Sequence, residues 1–236
     1  MIAIKRADER GHFQNDWLDS RHSFSFGEYH DPDNMGVSTL RVINDDWVSP
    51  SAGFPTHPHR DMEIVSYVLE GELAHKDSMG NGSVIRPGDV QRMSAGIGIT
   101  HSEFNPSDAN KANFLQIWLL PTERGIQPVY EQRHFAAEDK QGRLQLLVSP
   151  DGREGSISAN SDALIYAALL DEGQSVAHDI NPGRTAYVHV ARGSVEINGQ
   201  QLSAGDGATK AAGSNLQITG RDRGEILLFD LPANQH

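Results

Sequence analysis

Tyr67-Val68-Leu69-Glu70-Gly71-Glu72-Leu73 is answered, far along the chain, by His189-Val190-Ala191-Arg192-Gly193-Ser194-Val195. Each is a short apolar run, rich in β-forming residues, stopped by a glycine and then restarted, the pattern of a strand, a tight turn and a second strand. The echo continues. Arg86-Pro87-Gly88-Asp89 with Ala95-Gly96 is matched by Ser203-Ala204-Gly205-Asp206 with Ala212-Gly213, over a shorter hairpin in the second copy. Two copies predict two similar small β domains rather than a solenoid, and we expect them to divide the chain into residues 1–125 and 126–236.

Further strands are read at Thr39 to Val42, Ile64 to Leu69 and Phe114 to Leu120, the last stopped by Pro121. Met79-Gly80-Asn81-Gly82 and Pro87-Gly88-Asp89 mark turns between strands. With 236 residues, 23 Gly and 11 Pro spread throughout and no long helical period, the class is all-β. A net charge of -12 argues against direct nucleic-acid binding, which draws on clustered Lys and Arg. The absence of cysteine removes disulfides, thiolate nucleophiles and zinc fingers, so any site is built from His and carboxylates. The N-terminus becomes charged at Lys5-Arg6 and no run approaches the roughly 20 apolar residues of a membrane span. A cytoplasmic protein, without a membrane partner, is expected.

Chemistry is concentrated in His57-Pro58-His59 and His101-Ser102-Glu103. Residues two apart on a strand leave the same face. Strands laid side by side would bring three imidazoles and one carboxylate together, a mixed N/O set for a divalent first-row metal. An octahedral ion held by these four would keep two positions open. The glycine-rich Ala95-Gly96-Ile97-Gly98-Ile99 lets the backbone bend before the second pair. Glu63 competes for the carboxylate position. It could coordinate, accept a bond from a ligand imidazole, or pair with Arg60, and the outer position is favoured because such carboxylates fix a histidine's tautomer. Asp61 is expected to be solvated or structural.

His75 is expected to decorate a turn, and His134, His189 and His236 show no partner at ligand spacing. The N-terminal stretch with His12, Trp17, His22, Phe24, Phe26, Tyr29 and His30 is expected to pack across a barrel, with an aromatic at most on a pocket rim. Val65, Tyr67, Met93 and Trp118 are candidates to line a pocket. Carried onto the second copy by the glycine spacing, His57 and His59 fall on Asp179 and Asn181, and His101 and Glu103 on Ile218 and Gly220. His178 is left alone nearby, so one site, in the first half, is predicted.

Gly53, His57, His59 and Glu63, followed by Gly71, resemble the first cupin motif, and Pro87-Gly88 with His101 the second. Phe24-Ser25-Phe26-Gly27, Leu40-Arg41-Val42-Ile43-Asn44, Phe54-Pro55-Thr56-His57-Pro58-His59-Arg60-Asp61-Met62-Glu63, His75-Lys76-Asp77-Ser78-Met79-Gly80 and Met93-Ser94-Ala95-Gly96 narrow the resemblance to the pirin family. The resemblance implies a bicupin, two jelly-roll barrels with one iron in the first, held by His57, His59, His101 and Glu103, and it moves Glu63 out of the ligand set. It also implies quercetin 2,3-dioxygenase activity, in which a flavonol ring is opened by dioxygen and carbon monoxide leaves. Glu103 is then the general base that takes the 3-hydroxyl proton. Fe2+ is the ion the family suggests, and the donor set also accommodates Cu, Ni, Mn or Co. A flavonol and O2 are the expected partners of a monomer. The alternatives are a metal-containing, redox-sensing co-regulator whose acidic surface meets a basic protein, or another cupin oxidation of an enol or phenol.

Overall fold

The computed structural model describes residues 2–211 and 213–233; Ala212 of the second repeat and His236 lie outside them. Among the described residues almost all regular structure is strand, in two seven-stranded and two four-stranded sheets. Each half is a seven-stranded sheet facing a four-stranded one, an open jelly-roll sandwich in place of a closed barrel. The first half's large sheet runs through Leu18–His22, Leu40–Val48, Ala112–Leu119, Glu63–Glu70 and Asp89–Ser94, and its small sheet through Gly53–His59, Ile99–Phe104, Leu73–Asp77 and Gly82–Ile85. The second half repeats this with Arg184–Arg192, Gly224–Pro232 and Leu164–Leu170 in the large sheet and Ser175–Ile180 beside Ser214–Gly220 in the small one.

The repeated glycines have a steric basis. Gly71 and Gly193 both sit in the left-handed region, at φ 72° and 64°. A Cβ on Gly193 would stand 2.1 Å from the Arg223 carbonyl oxygen, and one on Gly71 2.7 Å from that of Lys111. Only glycine takes both the dihedral and the close approach without strain.

The large sheets pack back to back. Period-two alternation sends Val65, Tyr67, Leu115 and Ile117 to the same face, where they meet Leu147, Ile165, Tyr187, Leu227 and Phe229 of the second half in one cluster. Val65 and Tyr67 therefore do not line a site within the first half. The halves also exchange strands. Ile2–Lys5 pairs with Gly207–Ala211 in the second half's sheet, and Val129–His134 pairs with Asp89–Ser94 in the first half's. The first exchange is fastened by Asp206, which accepts bonds from the Ala7 amide at 2.7 Å and the Arg6 guanidinium at 2.9 Å.

The two sandwiches are filled differently. In the second, Val176, Ile180, Val188, Val190, Leu216, Ile218, Ile226 and Leu228 belong to one continuous apolar cluster. In the first, the interior is split into a cluster around Val68, Leu73, Ile85 and Phe114 and another around Ile64, Met93 and Ile99. Between them runs a row of polar residues in direct cross-strand register: His22, Asn44, Gln116, Ser66 and Gln91. All five are buried.

His189 lies on Arg184–Arg192, an interior strand of the second large sheet, fully buried, with neither ring nitrogen bonded to a protein group. Burial, and then the Arg10 guanidinium, bring its pKa down to about 4. The unfolded chain protonates this ring near pH 6.5 and the folded chain does not, so its share of stability is complete above that pH and shrinks as pH falls from 6.5 to 4. Chemical denaturation across this window should show His189→Leu losing about 3 kcal/mol less on acidification than the wild type. Parallel pH profiles for the two proteins would contradict the neutral buried state.

Candidate metal centre

The strands Gly53–His59 and Ile99–Phe104 are antiparallel neighbours, with His57 opposite His101 and His59 opposite Ile99. This register gathers the three imidazoles expected from the sequence. Their ring centroids form a near-equilateral triangle, 4.8 Å from His57 to His59, 4.5 Å from His57 to His101 and 4.8 Å from His59 to His101. One nitrogen from each lies within 4.8 Å of the other two. Between His101 and Glu103 the register slips, so that Glu103 stands opposite Phe54. Such a bulge re-aims a side chain. Gly53 permits it: a Cβ there would lie 2.2 Å from the Glu103 carbonyl oxygen.

Glu103 is not in the same cluster as His57 and His59. Its carboxylate groups instead with His75 and His101, again within 4.8 Å. Gln116 Nε2 donates to its Oε2 at 2.8 Å and Ser66 Oγ to its Oε1 at 3.3 Å. Burial pushes the carboxyl up to about 7, against the pull of these two bonds. Burial acts on the imidazoles in the opposite sense. It lowers His59 to about 4, helped by His57, and His101 to about 2, helped by the crowding of His59, His57 and His75. These two imidazoles are therefore neutral nitrogen donors at neutral pH.

The tautomers follow from the hydrogen bonds. His57 Nδ1 lies 2.8 Å from the Pro55 carbonyl and must donate to it, leaving Nε2 bare. His75 Nε2 lies 3.3 Å from the Asp77 carboxylate and donates to it, which makes its Nδ1 an acceptor for His101 Nδ1–H at 3.5 Å. His101 Nε2 is thereby left unprotonated, and it is buried without a protein partner. An orphaned lone pair beside two more imidazoles and a carboxyl fits a divalent transition metal. Asp77, His75 and His101 together form the carboxylate–histidine chain that orients metal ligands. His75 is thus no turn decoration. It is buried and stacked 5.1 Å from Tyr130. Its period-two place beside Asp77, in the strand paired with Ile99–Phe104, was the signal available in the sequence.

Glu63 is likewise not where strand counting put it. Asp61 adopts φ 47°, which ends the alternation that would have kept Glu63 on the ligand face. The chain crosses to the large sheet, where Glu63 accepts bonds from Ser94 Oγ at 2.8 Å and the Asn160 amide at 3.2 Å. Asp61 is structural, accepting from the Gly125 amide at 2.7 Å. Met93 is buried away from the imidazoles. Trp118 alone of the four proposed liners reaches the pocket, edge-on to His59 at 5.0 Å.

That pocket is a cavity of about 490 Å³ whose wall includes His57, His59, Glu103, Gln116 and Trp118. The N-terminal stretch supplies another part of the wall: His12, His22, Phe26 and Tyr29 all face it, and only Phe24 packs into the core between the halves. Phe26, Phe54 and Trp118, with the donors at one side, give the cavity aromatic walls suited to a partly polar aromatic molecule. Among the described residues the second half has no such arrangement. Ile197, four residues past Gly193 as His75 is past Gly71, pairs with Ile218 as His75 pairs with Glu103, so Leu216 and Ile218 take the places of His101 and Glu103 where counting gave Ile218 and Gly220. His178, opposite Leu216, and Ile180 take those of His57 and His59 where counting gave Asp179 and Asn181. The register slip between His101 and Glu103 has no counterpart in the second copy, which shifts the count of the histidine positions by one. His178 Nε2 is bonded to Asp230 at 2.8 Å.

Residues 4–119 match the family model described as Pirin, and residues 146–231 the model described as Quercetinase C-terminal cupin domain. Over 233 residues the chain is 49% identical to a quercetin 2,3-dioxygenase of Escherichia coli K12, covering 98% of this chain and 99% of that one. The crystal structure of YhhW from Escherichia coli superposes with a TM-score of 0.95 at 46% identity, covering both chains fully. The structure of the bacterial pirin YhhW in complex with nickel(II) superposes at 0.94, also at 46% identity, covering 99% of this chain and 100% of that one. With this fold, a three-histidine cluster beside a buried glutamate, and such likeness over its whole length, the chain belongs to the pirin family of bicupins.

Proposed function

We propose that this protein is a quercetin 2,3-dioxygenase that uses one divalent metal, held by His57, His59, His101 and Glu103, to open a flavonol with O2 and release carbon monoxide. The observation that carries the reading is the bare, buried Nε2 of His101 beside two further imidazoles at the wall of an aromatic-lined cavity. The relatives named quercetin 2,3-dioxygenase and the nickel(II) seated in a close structural neighbour support it. We assign Fe2+ as the ion, Ni, Cu, Mn and Co being compatible with the same donors. When bound, the ion supplies a Lewis acid that acidifies the flavonol 3-hydroxyl and a centre for electron transfer to dioxygen.

The chain's own residues do the rest. Glu103 takes the proton from the 3-hydroxyl, a task suited to a carboxyl that burial makes more basic than usual. Gln116 and Ser66 hold both its oxygens, so the carboxyl keeps its orientation. Phe26, Phe54 and Trp118 confine the ring plane and exclude water. All of these groups come from one chain, so a monomer is sufficient. No helix among the described residues is long and apolar enough to cross a membrane, and we place the protein in the cytoplasm.

Metal-loaded protein mixed with quercetin in air should consume the flavonol absorbance and release carbon monoxide in equal amounts. Turnover that survives complete metal removal would refute the scheme. His101→Ala should lose both metal and turnover. Glu103→Gln should keep most of the metal while kcat falls about 10²–10⁴-fold. His75→Phe leaves the ligands in place but removes the acceptor for His101 Nδ1–H. Metal affinity, read by competition with a chelator, should weaken about 10–100-fold, and an unchanged affinity would show that His75 plays no part in orienting His101.

A further inference from the structure

The cavity has a second polar wall that the dioxygenase scheme does not use. Leu18–His22 and Leu40–Val48 are paired so that His22 stands opposite Asn44 and Ser20 opposite Asp46. All four are buried, and all four face the cavity. His22 Nδ1, Asn44 Oδ1 and Asp46 Oδ1 have no hydrogen-bond partner in the protein. Burial keeps His22 neutral, and its ring is bonded to the Phe26 backbone, so the free nitrogen is an acceptor. The bare Asn44 oxygen accepts as well, and the Asp46 carboxyl, which burial pushes up to about 7, accepts in its ionised form. A wall with these bare acceptors, each too well buried to be left bare at no cost, is complementary to hydroxyl donors.

We propose that Asn44 and Asp46, flanked by His22, form a hydroxyl-reading subsite that selects flavonols carrying free phenolic hydroxyls on the pendant ring. The proposal rests on the flavonol reading of the pocket. Asn44 is in register with Gln116, which holds Glu103, so the hydroxyl-reading wall and the proposed base share one cross-strand row. A ring anchored on this wall is positioned relative to Glu103 by the sheet itself. A site built to accept a substrate hydroxyl rejects an analogue without it, because the acceptor is then buried unpaired. Selection here acts on affinity and orientation, not on the chemical step.

The test is binding of quercetin, kaempferol and galangin to the metal-loaded full-length protein without dioxygen, by fluorescence quenching. All three carry the 3-hydroxyl and 4-carbonyl, and they differ in bearing two, one and no hydroxyls on the pendant ring. Wild type should bind quercetin about 10–100-fold more tightly than galangin, with kaempferol between. Asp46→Leu should collapse that ratio towards one, Asp46→Asn, which keeps an acceptor, should restore part of it, and Asn44→Leu provides an independent reading should Asp46→Leu fail to fold. Affinities that ignore hydroxyl count, or variants that weaken all three flavonols equally, would overturn the subsite. Binding that follows hydroxyl count with no turnover in air would instead sink the dioxygenase reading and leave the subsite standing. Absence of flavonol binding altogether would overturn both.

Discussion

A polar row threaded through the interior of a β sandwich is the constraint on which the rest of this structure turns. His22, Asn44, Gln116, Ser66 and Gln91 follow one another across five adjacent strands, where a jelly roll ordinarily places aliphatic side chains. Burying a polar group without a partner costs on the order of 1–3 kcal/mol, a cost that bonds within the row or to a bound molecule offset. Gln116 and Ser66 bond to each other and to Glu103. His22 Nδ1, Asn44 Oδ1 and both amide atoms of Gln91 do not bond within the protein, and of these residues His22 and Asn44 face the cavity. At the cavity, the bonded groups hold the base and the bare ones are left to a ligand.

The second half offsets what the first half gives up. Its interior is one unbroken apolar cluster, and the two large sheets bury Tyr67, Phe229 and their neighbours between them. Exchange of the strands Ile2–Lys5 and Val129–His134 ties each half to a sheet of the other. At the junction Tyr67 donates to Glu225 at 2.6 Å and accepts from Lys140 at 3.1 Å. A half whose own core is divided is thus held in shape from behind, and that rigidity is what an oriented set of imidazoles needs.

Much of this was legible in the sequence where the relevant residues are close together. The histidine pairs two apart gave a common face, and the paired glycines gave the duplication, because both depend on local backbone geometry. What escaped depended on a single dihedral or on pairing between distant strands. The positive φ of Asp61 removed Glu63 from the ligand face. The bulge after His101 moved Glu103 out of step with His57, and no pattern in His101-Ser102-Glu103 announces it. His75 looked like a turn residue because the strand that buries it, Ile99–Phe104, joins it only in three dimensions. The polar row is invisible for the same reason: each strand contributes one member, and alternation within a strand does not say which neighbour shares its face.

The duplication explains why one half alone carries the chemistry. His178 stands in the place of His57, so one of the three imidazole positions is still a histidine in the second copy. Its ring is turned to Asp230, a carboxylate that also binds Arg184 at 2.7 Å, and is unavailable as a bare donor. The places of His59 and His101 are taken by Ile180 and Leu216, which pack into the apolar cluster. Behind them, the cross-strand pairs Val188 with Leu228 and Val190 with Ile226 occupy the region where the first half has its polar row. Histidines placed at 180 and 216 would face that aliphatic wall with nothing to fix their tautomers and no carboxylate across the sheet. A metal centre in this fold therefore needs more than three imidazoles at the right positions. It needs the hydrogen-bonding row across the opposite sheet, and the second half has exchanged that row for a core.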